Sequence, residues 1–184
     1  MFLGAHLPLF PEERIRTMEL RISGTIEESI TDGPGYRFTV FTQGCPHRCP
    51  GCHNPQTHDP AGGKVIDTDS LLPGIKEDPL LSGVTFSGGE PFLQPAPLAD
   101  LAEKVKPLGL NVWVYSGWTY EELKAMENPD VERLLAASDV LVDGRFIQAE
   151  KSIALLYRGS RNQRLVDLNK TRAEGQVAEW TPEG

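Results

Sequence analysis

At 184 residues, with 39% hydrophobic and 24% charged side chains, the chain can bury one sizeable core and is too apolar for intrinsic disorder. Its net charge is −8, and Lys and Arg are scattered apart from Arg158, Arg161 and Arg164, which argues against a nucleic-acid partner, since those binders show a basic face. No apolar run reaches the roughly 18 residues of a membrane span and no basic-then-apolar signal pattern opens the chain, so a cytoplasmic protein without membrane attachment is expected.

Residues 1–18 carry Pro8, Pro11 and mixed charges and are expected to form an N-terminal extension, a loose arm or packing segment, ahead of one domain over 19–184. Residues 19–30 alternate enough to predict a strand or hairpin arm. Thr31-Asp32-Gly33-Pro34-Gly35 is a turn signal, because Asp, Gly and Pro each favour turn geometry. Residues 36–43 (YRFTVFTQ) are aromatic and β-branched and predict a strand that runs into Gly44 and a cysteine loop. A polar stretch to Lys64 precedes a helical pattern near 67–77. Then come a strand at 84–87, a helix at 97–105 and a strand at 110–115. Helices at 119–126 and 130–137 follow, the first with a capping box from Thr119 and Glu122. Strands at 140–142 and 163–168 complete the pattern.

Strands alternating with helices predict an α/β fold with a parallel sheet. Each strand ends in small or polar residues: Gly44, Gly88-Gly89, Ser116-Gly117 and Asp143-Gly144. Ligands of parallel α/β folds gather at those C-terminal ends, so the cysteine loop and the glycine turns are expected on one face. The chain is too short for eight βα units of ~30 residues, which predicts a single-domain, partial and open β/α barrel.

All three cysteines, Cys45, Cys49 and Cys52, fall within eight residues. An odd, clustered set does not make a disulfide framework and points to a metal. Pro46, Pro50 and Gly51 fold the C-x3-C-x2-C segment tightly enough for its thiolates to converge. Iron–sulfur clusters usually take four thiolates, so either another ligand completes the site or one iron stays open for substrate. Spacing alone also allows structural zinc with His47, His53 or His58 as fourth ligand. Ser87-Gly88-Gly89-Glu90-Pro91 adds a second feature at a predicted strand end. Its glycines let a ligand approach the backbone, and Glu90 offers an acceptor for an ammonium. A zinc module has no need of it.

C-x3-C-x2-C after a strand, followed by a strand ending in Gly-Gly-Glu-Pro, resembles the radical S-adenosylmethionine superfamily. Residues 32–38 and 43–45 are similar to the opening of the glycyl-radical-enzyme activases. Residues 49–54, 113–117, 142–146 and 158–163 resemble the activases of anaerobic ribonucleotide reductase within that group, and the likeness runs over roughly 20–168. It implies a [4Fe-4S] cluster on Cys45, Cys49 and Cys52 whose fourth iron binds S-adenosylmethionine. It implies that Gly88, Gly89 and Glu90 hold the methionine end, with Glu90 near the ammonium, and that Gly51 and His53 lie beside the adenine. Ser116 and Asp143 are implied near the ribose or carboxylate, and Arg145 near cofactor or cluster. A surface pair of Asp143 with Arg145 is the competing expectation. Gly51 stands where many superfamily members carry an aromatic residue, which leaves the adenine to another ring such as His53.

The implied chemistry is physically sound. A low-potential cluster supplies the electron that a sulfonium C–S bond needs to break, yielding a 5′-deoxyadenosyl radical that abstracts hydrogen. A glycine Cα–H is a suitable target, because amide and carbonyl delocalise the product radical. The implied partners are a glycyl-radical enzyme, here anaerobic ribonucleotide reductase, and a flavodoxin- or ferredoxin-like electron donor. Two other readings stay open: a radical enzyme acting on a small molecule such as a nucleobase precursor, and a non-enzymatic zinc interaction module.

Overall fold

The computed structural model describes residues 18–182, so residues 1–17 of the expected extension lie outside the described residues. Strands β1 (Glu19–Ser29), β2 (Tyr36–Thr42), β3 (Lys64–Asp67), β4 (Leu81–Gly88), β5 (Asn111–Tyr115), β6 (Val140–Asp143) and β7 (Arg164–Asp167) form one sheet in the order β3-β1-β2-β4-β5-β6-β7. The central pairs β2–β4, β4–β5 and β5–β6 are parallel. The outer pairs β1–β3, β1–β2 and β6–β7 are antiparallel.

The α/β class and the parallel centre match the expectation and the sheet is open, but its outer pairs are antiparallel, not parallel as expected. The six-residue link 30–35 between β1 and β2 explains one edge: it can make a hairpin, whereas a parallel return needs a crossover of a dozen or more residues. Strand β3 was not expected, since four residues after a polar stretch carry little pattern; it pairs with the outer side of β1.

Helices α1 (Leu72–Glu77), α2 (Pro95–Val105), α3 (Tyr120–Ala125), α4 (Pro129–Ala137) and α5 (Leu168–Glu174) accompany the sheet. Pro73 sits in the first turn of α1, where its missing N–H costs nothing. The Thr119–Glu122 capping box is formed at the start of α3. Leu98, Leu101 and Val105 of α2 and Leu134 of α4 pack with Val84, Phe86, Val112 and Val114 in the main core. The alternate residues of β5 point the other way: Trp113 and Tyr115 join Val142, Leu165, Tyr157 and Trp180 in a second, aromatic cluster.

Arg37 is fully buried in β2 and bridges three strands. Its guanidinium donates to Thr85 Oγ1 (2.9 Å) and the Val84 carbonyl (2.8 Å), and also to Asn111 Oδ1. Burial lowers its pKa to about 10, still leaving it charged at neutral pH.

Candidate active site

The cysteine loop leaves β2 through Gly44, whose φ of +95° suits glycine. Its stem is closed by backbone bonds from Gly44 N to Thr57 O (2.8 Å) and from Cys45 N to His58 O (3.2 Å). Gln43 Nε2 donates to the carbonyls of Gln56 and Asp59 from inside. A tight turn, Cys52 N to Cys49 O at 3.1 Å with Gly51 at φ +74°, brings the last two cysteines together.

All three thiols are free, half-buried and open into one cavity of about 480 Å³, within the size range of small-molecule sites. The same cavity is lined by Ser87, Gly88, Gly89, Ser116, Gly117 and Gly144, so the strand ends do share a face with the cysteines.

The donor set fits an iron–sulfur cluster. Burial pushes the Cys45 thiol up, and backbone N–H groups of His47 and Arg48 act against that. The Asn54 amide donates to Cys52 Sγ at 3.4 Å. Hydrogen bonds of this kind to cluster sulfurs tune reduction potential. Two cavity-lining residues, His58 and Arg158, each keep a buried ring or guanidinium nitrogen, Nε2 and Nε, without a partner among the described residues, as a polar ligand would require.

The Ser87–Pro91 turn is bonded directly to the cysteine loop. Gly89 N donates to Thr42 O and Glu90 N to Gly44 O, both at 2.8 Å. A Cβ on Gly88 (φ +93°) would stand 2.6 Å from Phe41 Cα, and one on Gly89 would stand 2.4 Å from the Gly44 carbonyl oxygen. These glycines therefore serve the approach of two backbones as well as that of a ligand. Gly89→Ala is expected to push the turn off the cysteine loop and cost about 2–3 kcal/mol, read as a lower unfolding midpoint in urea.

Glu90 does not line the cavity. Its carboxylate is fully buried and accepts from His47 Nε2 (2.9 Å), Ser116 Oγ (3.0 Å), Gly117 N (2.8 Å) and Phe92 N (3.0 Å). The His47 side chain, from the middle of the cysteine loop, is itself only 4% exposed, stands edge-on to Trp118 with centroids 4.6 Å apart, and leaves no room for a side chain on Gly117. Glu90 thus ties the cysteine loop to the end of β5.

Of the other expected residues, Ser116 and His53 line the cavity, and the His53 ring tilts against Phe146 at 5.1 Å. Gly51 is exposed outside it, with its Cα facing Gln148. Asp143 is buried and accepts from Tyr120 N (2.7 Å); its cation is Arg164, not Arg145. Two carboxylates, Asp143 and Glu121, raise the pKa of Arg164. Arg145 is exposed outside the cavity, and Arg158 lines it instead. The Arg158–Gln163 motif is mainly a brace. Gln163 Oε1 accepts from Gly159 N and Ser160 N, and its Nε2 donates to Gly144 O.

A family model described as "4Fe-4S single cluster domain" matches residues 31–166. The chain is 35% identical over 143 residues to the anaerobic ribonucleoside-triphosphate reductase-activating protein of Salmonella typhimurium, covering 73% of this chain and 90% of that one. It is 34% identical, with the same coverage, to the protein of that name from Escherichia coli K12. It is also 40% identical over 112 residues to the pyruvate formate-lyase-activating enzyme of Clostridium pasteurianum, covering 56% of this chain and 47% of that one.

Proposed function

Because the chain belongs to the family of anaerobic ribonucleoside-triphosphate reductase-activating proteins and carries its 4Fe-4S single cluster domain, we propose that it installs a glycyl radical on an anaerobic ribonucleoside-triphosphate reductase. The observation that carries this reading is the meeting of three cysteines and the Ser87–Gly89 backbone in one cavity. When bound, the [4Fe-4S] cluster supplies the electron that breaks the sulfonium bond of S-adenosylmethionine, so that a hydrogen atom can be taken from the partner's glycine.

The chain's own residues orient and protect. Cys45, Cys49 and Cys52 hold the cluster. The backbone of Ser87–Gly89 binds the methionine end, and Arg158, rather than Arg145, meets its carboxylate. His53 and Phe146 offer rings to the adenine, and Ser116 stands at the ribose edge. Glu90 and Asp143 act from behind, as buried acceptors that set the loops. We read the open sheet as an incomplete barrel around this cavity, with a flavodoxin- or ferredoxin-like carrier as electron donor.

Anaerobic reconstitution with iron and sulfide tests the reading. The expected product is a brown protein that, once reduced, converts S-adenosylmethionine to methionine and 5′-deoxyadenosine and gives the reductase a glycyl-radical resonance. A protein that holds one zinc ion and takes up no cluster overturns it.

A further inference from the structure

We propose that the segment 144–163 is the docking surface for the reductase, and that it receives an apolar and acidic stretch beside the target glycine. This rests on the proposed function, because a glycine inside another folded protein must be delivered through the cavity mouth.

The segment forms part of that mouth. Phe146, Leu155, Tyr157, Arg158 and Gly159 line the cavity. The residues between turn outward: Ile153 is 98% exposed and Leu156 57%. Ile147 on the facing limb is 40% exposed. Exposed apolar side chains scattered singly need no explanation, but three within ten residues on the rim of a site mark a contact surface.

The tip stands on a fixed base. Lys151 and Ser160 form an antiparallel bridge, and Ser152 N donates to Gly159 O at 3.3 Å. The Tyr157 carbonyl accepts from Tyr115 Oη at 2.6 Å, and its ring packs edge-on to Trp113 at 5.3 Å. A surface presented in this way loses little conformational freedom on binding.

Charge specifies the partner's chemistry. In a chain of net charge −8, residues 144–163 contain four basic residues, Arg145, Lys151, Arg158 and Arg161, and one acid, Glu150. None of the four makes an ion pair among the described residues. Arg145, Lys151 and Arg161 are exposed around the apolar tip, so an acidic segment is steered there and its apolar residues settle on Ile153 and Leu156.

The test uses the reconstituted protein, the reductase encoded in the same genome, and the variants I153D/L156D and K151E/R161E, none of which touches the cavity lining. Cleavage of S-adenosylmethionine without the reductase is expected at the wild-type rate in both. The KM for the reductase should rise about ten- to a hundredfold in I153D/L156D. In K151E/R161E it should rise less, and more at low salt than at high. Wild-type KM values in both variants overturn the proposal. So does a variant that converts a dimer of the isolated protein to monomers while leaving that KM unchanged, since the surface would then belong to a second copy. Absence of cleavage by the wild-type protein would instead refute the function itself.

Discussion

Glu90→Ala is expected to lower stability and cluster content together. The substitution removes a fully buried carboxylate and strands the four groups that donate to it, from His47, Ser116, Gly117 and Phe92. Breaking a buried, hydrogen-bonded charge in this way costs about 3–5 kcal/mol. For a domain of this size that lowers the melting temperature by roughly 6–20 °C. The cysteine loop also loses its tether through His47, so iron per chain after reconstitution should fall. Glu90→Gln keeps the shape but turns an amide NH2 toward at least one donor, and an intermediate loss is expected. If Glu90 only contacted the ammonium of S-adenosylmethionine, melting temperature and iron content would be unchanged and the KM for S-adenosylmethionine alone would rise. Calorimetry and iron analysis on the same preparations separate the two roles.

Replacing Cys45, Cys49 or Cys52 singly by alanine is expected to have the opposite profile. Each side chain is small and half-buried, so the apoprotein should lose no more than about 1 kcal/mol. Iron uptake and cleavage of S-adenosylmethionine should fall to background in all three variants. A structural zinc ion would give a different pattern, because its ligands contribute folding energy directly and their removal would unfold the domain. Denaturant unfolding beside metal analysis decides between them.

The cysteine spacing, the 31–35 turn, the central strands and the gathering of strand ends on one face were legible because each depends on residues adjacent in sequence. The role of Glu90 was not. Its acceptors' partners lie 43 residues back at His47 and 27 ahead at Gly117, and no local pattern signals a contact of that range. Arg145 and Arg158 were indistinguishable as nearby basic residues; only the folding of 144–163 back on itself puts one in the cavity and the other outside. The antiparallel edges went unseen for a related reason, since alternation of strands and helices describes the middle of the sheet and says little about its ends. In sequence the two glycines of the 87–91 turn signal ligand approach, while the neighbouring backbone of Phe41 and Gly44 makes an equally strict demand on them.

The aromatic packing around the cavity has an optical consequence. The chain has three tryptophans, and each is linked by ring packing to a residue that lines the site: Trp118 to His47, Trp113 to Tyr157, and Trp180 to Tyr157 both directly and through Trp113. Its intrinsic tryptophan emission therefore originates from rings one or two side-chain contacts away from the cavity. A coloured group held by Cys45, Cys49 and Cys52 is positioned to quench that emission by energy transfer, so the protein carries its own label-free gauge of loading and of damage by oxygen.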